Sequence, residues 1–188
     1  MTDEIRLPQA PRPRTLVHPG PVDPVRIVHR HAARGRHFRL ALEPGRSLHD
    51  AIVGPLGALG VGSASMTILG GGLASLSYCV APPDPSGARV ANYTRPIAAG
   101  PALFVFGNAT LGKGARGEPL VHCHATFALG DGTVRGGHVV VDRSVVGPVP
   151  LAVLVTTLDG FDLRVSFDAE TAMPLMRPVA AGAEVAHA

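Results

Sequence analysis

Three histidines in the second half of this 188-residue chain have the type and spacing for metal chemistry. His122 and His124 sit two apart in Pro119-Leu120-Val121-His122-Cys123-His124-Ala125-Thr126-Phe127, a run that alternates like a strand. Side chains two apart on a strand share a face, so the two imidazoles point the same way and Cys123 points to the other side. The next strand-like run carries Gly136-Gly137-His138, and Gly130-Asp131-Gly132 lies between the two. If those three residues form a hairpin loop, Leu129 faces Thr133, and the same register sets His124 opposite His138. Three neutral imidazoles would then converge on one patch of sheet. That set suits zinc or another divalent ion and leaves a fourth position for water or a small ligand. Zinc is preferred because imidazole-rich tetrahedral sites favour it.

Such an open position admits two functions. One is a binding module in which the ion orients side chains and receives a small-molecule ligand. The other is a metal-dependent enzyme of unknown reaction, using an ion-bound water whose pKa falls toward about 7. Hydrolysis also needs a general acid or base near the ion. Glu118 and Asp131 are nearest in sequence, but neither has the spacing of an H-E-x-x-H helix. A cupin would place a Glu soon after its His-x-His, where this chain has Phe127-Ala128-Leu129. Gly70-Gly71-Gly72 is followed by no Lys-Ser/Thr, so it reads as a tight turn between strands and not as a phosphate loop.

The elements that must hold this site are mostly strands. His37–Leu42 alternates, and Glu43-Pro44-Gly45 stops it. Ser47 fits a helix N-cap with Asp50 three residues on, opening a helix from Leu48 to about Leu59 that buries Leu48, Ala51, Ile52 and Leu56. Strands are expected at 65–69, 74–80, 103–110, 151–158 and 161–167, besides the two that carry the histidines. Asp159-Gly160 is a strong hairpin signal between the last two. The 23 glycines and 18 prolines suit many short strands. The expectation is an α+β domain with a mostly antiparallel β-sheet and few helices, over residues 36–177. Residues 1–35 form a basic, Pro-rich arm and residues 178–188 a flexible tail.

Charge is uneven. The formal net charge is +3, yet nine arginines fall within residues 1–46: Arg6, Arg12, Arg14, Arg26, Arg30, Arg34, Arg36, Arg39 and Arg46. A basic arm of this kind either touches phosphate or is simply solvated. Two cysteines, Cys79 and Cys123, make no disulfide framework or zinc-finger spacing. The first residues lack the layout of a signal peptide. No apolar run reaches the roughly 20 residues of a membrane span. A soluble, cytoplasmic protein with no membrane partner is the expectation.

The order of these pieces resembles the plant-and-prokaryote conserved, or PPC, domain family. The residues that carry the resemblance are Leu42-Glu43-Pro44-Gly45-Arg46-Ser47-Leu48-His49-Asp50-Ala51, Gly117-Glu118-Pro119-Leu120-Val121-His122-Cys123-His124-Ala125, Asp131-Gly132-Thr133-Val134-Arg135-Gly136-Gly137-His138-Val139 and Leu158-Asp159-Gly160. It covers about residues 36 to 175. It implies a compact α+β domain assembled as a homotrimer, with His122, His124 and His138 standing where some prokaryotic members look like metal sites. It also implies an association with DNA, since in plants the domain accompanies an AT-hook. Here Arg34-Gly35-Arg36 matches the hook's core and is the candidate DNA contact, although His37 replaces the proline. The segment 100–107 also lacks the acidic G-x-F-E-I-L wording common in the family.

Overall fold

The computed structural model describes residues 16–25 and 28–182. The arm residues Arg6, Arg12, Arg14 and Arg26 and the tail beyond residue 182 lie outside them. Strand β1 (His37–Ala41) is followed by helix α1 (Leu48–Ala58) and the long strands β2 (Ala64–Cys79) and β3 (Ile97–Lys113). Next come β4 (Pro119–Leu129), β5 (Val134–Val139), the short β6 (Val145–Val146), β7 (Ala152–Thr157), β8 (Phe161–Asp168) and β9 (Met173–Ala180). They form one sheet in the order β1-β7-β2-β5-β4-β3-β8-β9, with β6 beside β2 and a further β2–β3 pairing. All pairings are antiparallel except a single parallel one, Lys113 with Arg164. This is the α+β, mostly antiparallel architecture that the sequence implies.

Helix α1 begins where its cap is: the Asp50 N–H donates to Ser47 Oγ at 3.0 Å. Its buried residues are Leu48, Ala51, Ile52 and Leu56, the stripe read from the sequence. They pack with Val121, Cys123 and Phe127 of β4 and with Met66, Ile68 and Val153 into one core. Each buried Ile or Leu contributes about 1.5–3 kcal/mol, so this face fixes which side of β4 is inward. Strand β4 therefore keeps alternate residues buried and turns the others outward.

The structure corrects the sequence reading at three places. Gly70-Gly71-Gly72 is no turn, because β2 runs through it without interruption. The glycines instead bend the strand, with φ of +139° at Gly70 and +137° at Gly71, and let the chain before β7 press close. A Cβ on Gly71 would lie 2.5 Å from the Pro150 carbonyl oxygen. Asp159-Gly160 does turn the chain, but β7 and β8 do not pair. Both edges of β7 are occupied by β1 and β2, so β8 pairs with β9 instead. Finally, β9 continues to Ala180, past the expected start of the tail, with Pro178 opposite Leu163.

Part of the N-terminal segment is also held in place. The Gly20 N–H donates to the Glu170 carbonyl at 2.9 Å. His18 Nδ1 lies 2.6 Å from Glu170 Oε1, and the Asp23 N–H donates to Glu170 Oε2 at 3.0 Å. Glu170 sits in the β8–β9 turn, so this stretch packs on the hairpin.

Gly71→Ala should lower the unfolding free energy by about 2 kcal/mol or more, from a disfavoured φ and a backbone clash together. Gly57→Ala is the control: its Cβ meets nothing within 4 Å. That change, in the helix, should be neutral or stabilise by up to about 1 kcal/mol. Urea unfolding of both variants checks the contrast, and equal effects would refute the bend's role.

Candidate metal centre

The hairpin between β4 and β5 sets the site. The Leu129 N–H donates to the Thr133 carbonyl at 2.8 Å. Asp131 Oδ1 accepts from the Thr133 N–H at 2.9 Å and from its hydroxyl at 2.7 Å. These bonds hold the Asp131 carboxyl below the usual range, the hydroxyl contributing most. From this turn the ladder runs Ala128 with Val134 up to His124 with His138. Gly137 lets β5 reach the end of β2, since a Cβ there would lie 2.5 Å from the Cys79 carbonyl oxygen. Cys79 itself is the register partner of His138.

The three imidazoles meet. His122 Nε2 and His124 Nε2 are 3.0 Å apart. The ring centroids are 4.8 Å apart for His122–His124 and His122–His138, and 5.3 Å for His124–His138. One ligating nitrogen from each lies within 4.8 Å of the others. A tetrahedral ion about 2.1 Å from each nitrogen holds them about 3.4 Å apart, within a side-chain adjustment of this arrangement.

The local chemistry fits a cation. Burial, and then the nearby His124, lowers the basicity of His122. Burial, followed by His122 and His124, pushes His138 down to about 4. Both rings are therefore neutral at pH 7, the form that ligates. His138 Nδ1 is buried with no hydrogen-bond partner among the described residues. Such a nitrogen costs about 1–3 kcal/mol unless a group from outside the chain satisfies it. Cys123 faces the core, fully buried, and its thiol is pushed up to about 12 by that burial. It is no ligand.

The site opens onto a cleft of about 820 Å³, roofed by the β8–β9 hairpin and walled by the loop between β2 and β3. His122 and His138 line its floor, while Leu163, Val165, Met173 and Met176 form the apolar roof. Tyr93 stands over His138 with ring centroids 5.0 Å apart. Burial raises its pKa, with Cys79 adding to the effect, so it stays a phenol. Sequence reasoning missed Arg89, Tyr93 and the hairpin residues. A single aromatic and a single arginine in a loop carry no periodic signal, and only the tertiary fold brings β8 and β9 over the histidines.

The other candidates fall elsewhere. Glu118 Oε2 accepts the Arg116 N–H at 3.0 Å and lines a separate crevice with His49, Asp142 and His138. Arg36 belongs to the framework, not to an extended hook. Its guanidinium donates to the Leu59 carbonyl at 2.9 Å, pairs with Asp159 at 3.3 Å and lies 5.8 Å from the Phe38 ring centroid. That contact holds the Asp159 carboxyl below its ordinary range. Arg34 makes no hydrogen bond to the described residues and is exposed.

A family model for the Plants and Prokaryotes Conserved (PCC) domain matches residues 29–157. No curated protein matches the chain in sequence. Among solved structures, a metal-containing protein from Archaeoglobus fulgidus superposes with a TM-score of 0.61 at 21% identity, covering 80% of this chain and 98% of its own. A plant- and prokaryote-conserved protein from Pyrococcus horikoshii gives 0.57 at 18% identity, with 81% and 98% covered. A candidate DNA-binding protein from Ralstonia eutropha JMP134 gives 0.56 at 16%, with 74% and 89% covered. These likenesses show the fold. Among the described residues, no helix is long and apolar enough to cross a membrane.

The depressed basicity of His138 has a thermodynamic consequence for the metal-free protein. Its pKa is 6.5 unfolded and about 4 folded, so between those values the unfolded chain binds more protons. Stability present above the unfolded value is lost as pH falls toward the folded one. In chelator, the melting temperature should drop from pH 7 to pH 4.5 more steeply for the natural protein than for His138→Gln. Parallel profiles would refute the burial of that ring.

Proposed function

The chain belongs to the Plants and Prokaryotes Conserved (PCC) domain family, and from that premise we propose that it is a metal-holding binding module. His122, His124 and His138 are its ligands, and zinc is the first choice among divalent ions. The observation that carries this reading is the convergence of three ligating nitrogens, one from each ring, within 4.8 Å on two adjacent strands. The metal-containing description of the Archaeoglobus fulgidus relative supports it. When bound, the ion supplies a Lewis-acid position toward the cleft for an incoming lone pair.

The chain's own residues supply the rest. The hairpin fixes the ring planes, and burial keeps His122 and His138 deprotonated. The β8–β9 hairpin stands over the two half-buried rings of the floor. The enzyme alternative is less well served, because among the described residues the cleft's lining holds no Asp or Glu to act as general base. Assembly as a homotrimer belongs to the same proposal. An exposed apolar row of Leu103 and Val134, joined through Ala128 on the intervening strand, is a surface that a second copy would cover.

A second reading, DNA association, is supported by the description of the Ralstonia eutropha relative and by the arginine-rich first 46 residues. Arg34 is its candidate contact. Arg36 joins it only by giving up its bonds to Leu59 and Asp159.

Elemental analysis of the purified protein should find one divalent ion per chain. The His122→Ala/His124→Ala pair should lose it through gel filtration and keep the same sedimentation coefficient, one expected at three chain masses. Full metal retention in that variant would refute the site. For DNA, a gel shift at 50 mM salt should weaken about tenfold or more by 200 mM, and further in Arg34→Ala. No shift at low salt refutes that second reading.

A further inference from the structure

The cleft beside the histidines has a charge pattern of its own. Four roof residues, Leu163, Val165, Met173 and Met176, present hydrocarbon and thioether to its interior. Its volume, about 820 Å³, lies within the range of about 300–1,000 Å³ of pockets that enclose small organic ligands. The two methionines suit an apolar body of variable shape, since an unbranched thioether repacks at little cost.

Among the described residues that line it, only Arg89 is formally charged at neutral pH. The Arg89 backbone N–H donates to Asp84 at 3.0 Å, but its guanidinium has no hydrogen-bond or ion-pair partner among the described residues. Three neutral imidazoles leave the double charge of a divalent ion uncompensated. Among the described residues, no Asp or Glu lines the cleft to offset either charge. An apolar slot with cationic groups at floor and wall selects an anion with a hydrocarbon body.

We propose that this cleft binds an apolar monocarboxylate, its carboxylate turned toward the open metal position and Arg89, and its hydrocarbon body under the β8–β9 roof. The inference rests on the metal reading above and names the ligand class of that site. A phosphate-rich ligand fits worse, because its several charged oxygens would meet mostly hydrocarbon and thioether, from Leu163, Val165, Met173 and Met176. An uncharged apolar ligand would fill the slot without drawing on the charge of Arg89 or of the ion. The ligand keeps all its covalent bonds: with an ion held by the three histidines, a carboxylate oxygen would take the coordination position of a water, which leaves for bulk solvent.

The test uses the full chain loaded with cobalt(II), whose visible spectrum reports coordination, together with titration calorimetry. The probes are octanoate, acetate and 1-octanol. Octanoate should change the cobalt spectrum and bind at least about 100-fold more tightly than acetate, since each buried methylene adds a favourable increment. It should also bind at least tenfold more tightly than 1-octanol, which has the body without the charge. Arg89→Gln, a change at an exposed side chain, should weaken octanoate about tenfold and leave 1-octanol and cobalt uptake unchanged.

Cobalt uptake with octanoate and acetate bound alike overturns the cleft assignment and leaves the metal centre standing. Equal binding of octanoate and 1-octanol overturns the role of charge, and with it the proposal. Failure to take up cobalt at all removes the metal centre and this inference together.

Discussion

The register between β4 and β5 is the constraint on which the site depends. Side chains alternate with period two, so a slip of one residue would move His138 to the core face and strand it among hydrocarbon. The structure guards that register from several directions. Asp131 and Thr133 fix the turn, Gly137 lets the strand close on β2, and Val139 is locked in the core opposite Tyr78. The apolar alternation of β4 acts with them. Val121, Cys123, Ala125 and Phe127 are all buried, so rotating the histidines away would expose four core positions at once.

The same construction explains why the histidines can be clustered at all. Gathering three imidazoles on one face sets nitrogen lone pairs and N–H groups against each other. Elsewhere on a surface, water would relieve that conflict. Here His124 stays exposed while His122 and His138 are half-buried beside the β8–β9 hairpin, which is tied to β3 by the pairing of Lys113 with Arg164 and by the Lys113–Asp162 ion pair at 2.8 Å. The rigid sheet supplies geometry, and the partial burial of His122 and His138 makes that geometry count for more.

What could be read from the residues follows from the range of the forces involved. The histidine hairpin and the capped helix α1 were legible because their signals are local: a period of two, a period of 3.6 with a Ser47 cap, and a short Gly-Asp-Gly loop. Gly70-Gly71-Gly72 was misread because glycine marks a turn and a bent strand with the same letters. Only the pressure of Pro150 against Gly71 distinguishes them. Asp159-Gly160 turned the chain as its chemistry requires, but pairing depends on which edges are vacant, and that is settled by β1 and β2 far away in sequence. The cleft was beyond reach for the same reason. Its floor and roof come from strands whose contact is purely tertiary.

The sulfur of Cys123 lies between the two histidines in sequence and on the opposite side of the strand in space. Its thiol, pushed up to about 12, is almost entirely protonated at neutral pH, and peroxides and disulfides react with thiolates. The proposed donor set is all nitrogen, and such a set is indifferent to oxidants that would strip an ion from a cysteine-built site. By giving that thiol to the helix-facing layer, the strand keeps its one group open to oxidation and the three imidazoles on opposite sides of a single sheet.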